Sequence, residues 1–366
     1  MLKRRIGIEK NEYLPRYHFL SYLESTYSRS GVILSACGNN YENFEFTKLN
    51  RPIITSLVKT VLSTRKLIKS GTIYVVMSPA QIILPVLRVL TREPIILDAG
   101  WTLSESLKYR RKKKSKSLLF LKNFLIDYFA MHLATVVLLE SEEQRNYVLK
   151  KFRISRKKSV RIFTGFNENL YSASEPTVPL ELLRFKKNIS AEIILFRGKY
   201  NSEAGLELIA EITKKLSDLN FVIASDRGVE SLVFSQKTTV LTRNLSVGEI
   251  HWLYNNAKIC LGQLSNSKRL VNTIPHKAFE AGFFGKPYVT VDGVAIRELF
   301  PLDSQAIFLD SLDINVVSSI IRKRLESPLE LNAIGYACKD RYSKVASQAI
   351  LFQEFNFLCK AFDFEN

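Results

Sequence analysis

Short apolar runs rich in Val, Ile, Leu and Phe recur along this chain, each closed by Gly, Asp, Ser or Cys and followed by a segment of helical period. That alternation is the pattern of parallel sheets covered by helices, and it leaves few other ways to fold. In the first half the strand-like runs are GVILSAC from Gly31, TIYVVMS from Thr72, PIILDAG from Pro94, TVVLLES from Thr135 and SVRIFTG from Ser159. ITSLVKTVLSTRKLIKS, from Ile54, and EEQRNYVLKKF, from Glu142, read as helices between them. In the second half EIILFRG, NFVIASD, KICLGQL and PYVTVDG read as strands, and GLELIAEITKKLSD, VGEIHWLYNNA and PHKAFEAGFFG as helices. No repeat with a period of about 20 to 50 residues runs through the chain, so a solenoid is not expected.

A length of 366 residues exceeds what one hydrophobic core usually serves. The stretch FNENLYSASEPTVPLELL, which follows Gly165 and contains two prolines, is the natural linker. The expected fold class is therefore α/β: two doubly wound, Rossmann-like domains facing a cleft, over residues 1–170 and 171–341. A long apolar-periodic helix starting at Tyr342, residues 342–366, is expected to pack back on the first domain.

Composition narrows the class. With 46% hydrophobic and 24% charged residues, disorder and fibre are excluded. The long uncharged stretch Gly71 to Leu87 contains Ser78, Pro79, Gln81 and Pro85, so it reads as strand, turn and helix and not as a membrane span. MLKRRIGIEKNEY lacks the apolar run and cleavage site of a secretory signal, which points to a cytoplasmic chain. Cys37, Cys260, Cys338 and Cys359 have no CxxC spacing, so free thiols are expected and no structural zinc.

The net charge of +18 is concentrated at one end. Residues 1–172 hold 30 Lys and Arg against 13 Asp and Glu, a balance of +17, whereas residues 173–366 hold 23 against 22. The densest run is Lys108, Arg110, Arg111, Lys112, Lys113, Lys114 and Lys116, followed at once by the apolar LLFLKNFLIDYFAMHLAT. Each cation near an anionic leaflet is worth about 1 kcal/mol, so Arg110 to Lys116 form a candidate docking site for the inner face of a membrane. A solvated loop is the plainer alternative. Nucleic acid is not expected as a partner, because Tyr109 is the one aromatic in the run and no nucleic-acid-binding signature accompanies it.

The chain contains no P-loop, no dinucleotide fingerprint, no H-E-x-x-H pair and no G-x-S-x-G elbow. Two segments put cations where open α/β sheets bind ligands, at the carboxyl ends of strands. In LFRGKYNSEAGLELI, Arg197 and Lys199 flank Gly198 and could hold a diphosphate; an ordinary turn with surface charges is the alternative. In SNSKRLVNTIPHKAFEAGFFGKPYVTVDG, Pro275 suits the first turn of a helix whose open N–H groups favour an anion by about 0.3–1 kcal/mol. Lys277 adds a cation, and Glu280 is placed to accept two ribose hydroxyls, unless the two simply form an intrahelical pair. His276 is the histidine placed to reach a substrate; His18, His132 and His251 have no ligand spacing. Asp98, at the end of a strand in the first half, is a candidate for orienting an acceptor hydroxyl, or else caps the turn that follows it.

At these residues the chain resembles the retaining glycosyltransferases of the GT-B fold, specifically glycosyltransferase family 4. IPHKAFEAGFFGKPYV resembles the family's segment of proline, lysine, acidic residue and small-GKP, and FRGKYNSEAGLELI its glycine, basic residue and helix opening. LLESEEQRNYVLKKF with VRIFTGFNENLY, and NLSVGEIHWLYNNAKICLGQL, are similar to its interdomain region and to the segment before its donor site. The resemblance spans about residues 90–300. It implies a metal-independent hexosyltransferase without a cofactor, which takes a nucleotide-sugar as co-substrate and a saccharide or lipid-linked acceptor. By the same resemblance Arg197, Gly198, Lys199, Asn272, Pro275, His276 and Lys277 hold the donor, Lys199 and Lys277 assist the leaving diphosphate, and Glu280 binds the ribose.

Three positions depart from the pattern. Asn272 stands eight positions before Glu280 where the family often has an acid, Ala204 replaces a usual lysine, and the strand ending DAGW lacks an expected histidine. A sugar-nucleotide epimerase, or a silent relative that binds a nucleotide-sugar without turnover, are the competing readings.

Overall fold

The structure, a computed structural model, describes residues 16–22, 29–37, 44–49, 64–100, 102–110, 117–183, 193–226 and 228–363. They form two six-stranded sheets, parallel throughout. The first comprises β1 (Arg16–Ser21), β2 (Phe44–Lys48), β3 (Thr72–Met77), β4 (Ile95–Asp98), β5 (Val136–Leu139) and β6 (Ser159–Arg161), in the order β2-β1-β3-β4-β5-β6. The second comprises β7 (Ile193–Arg197), β8 (Asn220–Ala224), β9 (Thr238–Leu241), β10 (Ala257–Leu261), β11 (Tyr288–Val291) and β12 (Ile307–Leu309), in the order β12-β11-β10-β7-β8-β9. Central strands such as Thr72–Met77 are buried along their whole length, as a sheet with helices on both faces requires. Two doubly wound α/β lobes result.

GVILSAC is not a strand. It lies in the helix Arg29–Cys37, with Val32 and Ile33 buried, and the strand position is taken by RYHFLS in β1. A short apolar run without alternation fits either element, and tertiary packing decided between them. β2, β9 and β12 also escaped the sequence reading, each being only three to five residues long. Most of the helix expected from Ile54 lies outside the described residues. The stretch after Gly165 is not wholly loop, since it contains the helices Glu168–Ser172 and Leu180–Leu183, the first capped by the Asn167 side chain accepting from Leu170 N.

The carboxy-terminal helix is two helices. Pro328–Val345 includes Tyr342, and Gln348–Asp363 starts afresh after the break at Ala346. Phe355 of the second packs against Tyr17 and Phe19 of β1, and Gln348 Nε2 donates to Val32 O. At the break, Tyr342 OH and Gln348 N both donate to Glu168 Oε1. Cys260, Cys338 and Cys359 are buried and not joined in a disulfide, and no described helix is long and apolar enough to cross a membrane.

Candidate active site

In the second sheet β7 lies between β10 and β8, so the winding reverses at the β7–β10 pair. A crevice outside the carboxyl ends of such a pair is where α/β sheets bind ligands. Three sequence-predicted groups meet there: the end of β7 at Arg197, Gly198 at its exit, and the start of the helix His276–Phe284.

Lys277 Nζ lies 3.8 Å from the centroid of the Phe196 ring and donates to Gln263 Oε1, just past β10, at 3.2 Å. A Cβ on Gly198 would approach that nitrogen to 2.8 Å. The glycine thus makes room for the lysine itself. Burial, partly opposed by Glu280 and reinforced by Arg197, brings the Lys277 pKa down to about 7. A diphosphate would restore its charge, because a nearby anion favours the protonated form.

Arg197 Nη1 is paired with Glu280 Oε1, which also accepts from His276 Nδ1 at 3.0 Å, and Tyr254 OH donates to Glu280 Oε2. Burial alone would raise the Glu280 pKa, but Arg197 and His276 overcome it and hold the carboxyl well below the carboxylate range. Burial would lower Arg197, and Glu280 more than offsets that. The alternative of an intrahelical pair with Lys277 is not what forms, because Glu280 pairs with Arg197. Nor is Glu280 an open carboxylate awaiting ribose hydroxyls: at 2% exposure it is packed beneath the cations and braces them.

Pro275 stands at the cap, in extended conformation with ψ 135°, and not inside the first turn. The amides of His276 and Lys277 that follow it have no intrahelical partner, as in any first turn. Lys199 is exposed one residue beyond Gly198. Asn272 faces the first lobe through its backbone, its carbonyl accepting from Ser141 Oγ at 2.9 Å.

Several groups at the cleft carried no sequence signal. Arg269 Nη1 contacts both carboxylate oxygens of Glu203 at 2.9 and 3.0 Å, beside the fully buried Ala204. Arg269 thus sets a cation against the residue next to the position where the family carries its lysine. Glu140, at the end of β5, accepts from Thr164 Oγ1 and, across the lobes, from Ile274 N at 3.2 Å. Burial, opposed by Arg29 and Arg269, raises its pKa to about 7. The Glu298 carboxylate accepts from the first amides of the helix Glu142–Phe152, Glu142 N at 2.7 Å and Glu143 N at 2.9 Å, where a helix end favours an anion.

Asp98 is 6% exposed and pairs with Arg29 Nη2 at 3.2 Å. Arg29 Nη1 also donates to Leu139 O at 3.0 Å and to Ile162 O at 2.5 Å, tying the ends of β4, β5 and β6 together. Arg111, Lys112, Lys113, Lys114 and Lys116, and the side chains of Lys108 and Arg110, lie outside the described residues. No cluster of metal-ligating side chains occurs among the described residues.

No family model and no curated protein matches the chain. Solved structures do. Anabaena Alr3699/HepE in complex with UDP superposes with a TM-score of 0.66 at 14% identity, over 94% of this chain and 100% of that one. Sucrose-phosphate synthase from Thermosynechococcus elongatus gives 0.69 at 12%, over 96% and 100%. A putative UDP-N-acetylglucosamine 2-epimerase from Listeria monocytogenes gives 0.60 at 9%, over 96% and 98%. Two parallel α/β lobes in this arrangement are the GT-B fold, and that fold is what the chain shares with them.

Proposed function

We propose that the chain is a glycosyltransferase that moves a sugar from a nucleotide-sugar to a saccharide or lipid-linked acceptor with retention, in assembly of a bacterial surface polysaccharide or glycolipid. One observation carries this reading: Arg197, the desolvated Lys277 and the open first turn after Pro275 converge at the β7–β10 switch point. Cations and amides fixed beforehand stabilise charge that develops on a leaving diphosphate. Lys199 extends from the rim to the same group, and Glu280 keeps Arg197 aimed. With this many cations the reaction needs no metal, and EDTA should leave the rate unchanged. Glu280, Glu203 and Asp98 are each held in an ion pair, and this reading gives none of them the part of a glycosidase-type nucleophile. That favours attack from the leaving-group face.

In this reading the first lobe is the acceptor side, and its surplus of cations rests on anionic lipid at the cytoplasmic face of the membrane. Replacing Lys112, Lys113 and Lys114 with Ala should then weaken vesicle binding at low salt.

The test is a thermal-shift panel of nucleoside diphosphates and their sugars, since a ligand at 100 times its Kd stabilises by about 2.7 kcal/mol. A shift for one nucleotide, lost in Lys277→Met, is expected. No shift with any nucleotide would remove the proposal. Epimerisation is the second reading, favoured by the similarity to the Listeria protein, and incubation with donor alone separates it, because only an epimerase changes the sugar without an acceptor. Nucleotide binding with no turnover on any acceptor would indicate a silent relative.

A further inference from the structure

The helix Ser117–Leu133 packs on the first lobe with one side uncovered. Leu118, Leu121, Leu125 and Phe129 recur at helical spacing and form a single stripe, with exposures of 78%, 51%, 43% and 51%. With Ile82 and Pro85 they line an open groove of about 770 Å3, and Lys122 is the charged side chain on its wall. Contiguous apolar surface of this kind on a soluble lobe marks a binding face.

The stripe has a definite position relative to the cleft. Thr135 N donates to Ile95 O, which puts the Leu133 end of the helix at the amino edge of the first sheet. Leu103 N and Ser104 N, just past the carboxyl end of β4, donate to Asp127 at 3.0 and 2.9 Å. The helix therefore passes the carboxyl edge near Asp127, and Leu118 lies roughly 13 Å farther out at 1.5 Å per residue. The uncovered side extends past the edge that carries Asp98.

Charge selects the occupant. Lys108, Arg110, Arg111, Lys112, Lys113, Lys114 and Lys116 precede Ser117 in the sequence, and no acidic residue occurs between Glu105 and Asp127. A second copy of the chain would bring the same surplus of positive charge to the contact. An apolar stripe beside unbalanced cations is the composition of a helix that lies in the interface of an anionic bilayer.

We propose that Leu118, Leu121, Leu125 and Phe129 insert among the acyl chains of an anionic membrane, setting the carboxyl edge of the first sheet against the lipid surface. A lipid-linked acceptor would then enter the cleft from the bilayer without leaving it; that last step rests on the transfer reading, and the docking does not. The charge run would bring the protein to the surface, and the stripe would hold it there.

Vesicle flotation tests this without donor, acceptor or turnover. Wild-type protein should float with phosphatidylcholine vesicles containing phosphatidylglycerol and not with phosphatidylcholine alone. L121E/L125E should lower that partition by roughly tenfold or more, because binding scales with buried apolar area, with an unchanged thermal transition. Equal partition of variant and wild type would overturn the proposal. So would a wild-type dimer in sedimentation that L121E/L125E converts to monomer, since the stripe would then be a contact between copies. Phe129→Trp gives a readout that does not depend on the double variant folding: relative to wild type its added emission should shift to the blue with phosphatidylglycerol vesicles, and an unshifted spectrum would overturn insertion.

Discussion

Arg197 and Glu280, 83 residues apart in sequence, form a buried ion pair at the point where the second sheet reverses its winding. The pair sets the order of the site. Glu280 lies innermost, held by Tyr254 and His276, and Arg197 is turned so that one fifth of its side chain is exposed. The carboxylate thus keeps a guanidinium aimed outward, and a diphosphate arriving from the cleft meets the cation before the acid.

Removing either partner leaves the other buried and uncompensated. Glu280→Gln should cost about 3 kcal/mol, the low end for a broken buried pair because Arg197 keeps some water. Arg197→Met should cost a similar amount. The double variant should cost at least about 1 kcal/mol less than the sum, since the two share one interaction. Urea denaturation of the four proteins checks this, and additive losses would mean that the pair is not coupled.

Lys277 predicts opposite pH dependences for stability and for ligand binding. Its pKa is lowered from 10.5 to about 7, so between pH 7 and 10.5 the unfolded chain holds a proton that the native chain lacks. Stability of the ligand-free protein should therefore rise with pH across that window through this group. Affinity for a nucleoside diphosphate should fall above pH 7, by at most about tenfold per unit, as the ammonium is lost. Titration calorimetry and thermal melts at several pH values, compared with Lys277→Met, would separate the two. A flat affinity profile in the wild type would remove Lys277 from the site.

The parts of the site that were legible in the sequence are those whose signal is local. Gly198 between two cations, and Pro275 before a helix closed by Gly285, announce a turn and a helix within a few residues, and both elements form there. The partners of those residues were not legible. Glu203 meets Arg269 across 66 residues and Glu140 meets Ile274 N across 134, distances over which no periodicity carries. Asp98 reads as a free strand-end acid until Arg29 is brought under it by a helix that looks like a strand. Composition placed the charge in the first lobe, whereas the uncovered face of Ser117–Leu133 depends on which side packs inward, and a run apolar on nearly all sides does not reveal that.

Glu140 should make the protein less stable as pH rises through the acid range. Its pKa is raised from 4.5 to about 7, so the native chain holds a proton between those values that the unfolded chain has released. The stability this contributes is complete below pH 4.5 and lost as pH passes 7. Glu140→Gln stays neutral, and its amide oxygen can accept from Ile274 N while its amide nitrogen donates to Thr164 Oγ1. The melting temperature of the variant relative to wild type should climb from pH 4.5 to 7 and then level off. A difference that stays constant with pH would mean that Glu140 is ionised throughout.

Gly198 and Gly205 lie in the same loop and should respond oppositely to alanine. Gly205 has φ +69°, and a Cβ there would meet Leu264 O at 1.9 Å, a backbone atom that cannot step aside. The left-handed conformation alone costs roughly 1–2 kcal/mol for an L-residue, and with the clash Gly205→Ala should lose about 3 kcal/mol or more. At Gly198 the obstructing atom is Lys277 Nζ at 2.8 Å, the end of a flexible side chain. Gly198→Ala should therefore fold with a loss within about 1 kcal/mol, because the lysine swings away. Doing so takes Lys277 off the Phe196 ring and away from Gln263, so nucleotide affinity should drop by about tenfold or more, the equivalent of one misplaced charge-assisted contact. Melting temperature and nucleotide titration on both variants decide the matter: Gly205→Ala losing stability first and Gly198→Ala losing binding first is the expected pair, and a Gly198→Ala protein that binds like wild type would place the diphosphate elsewhere.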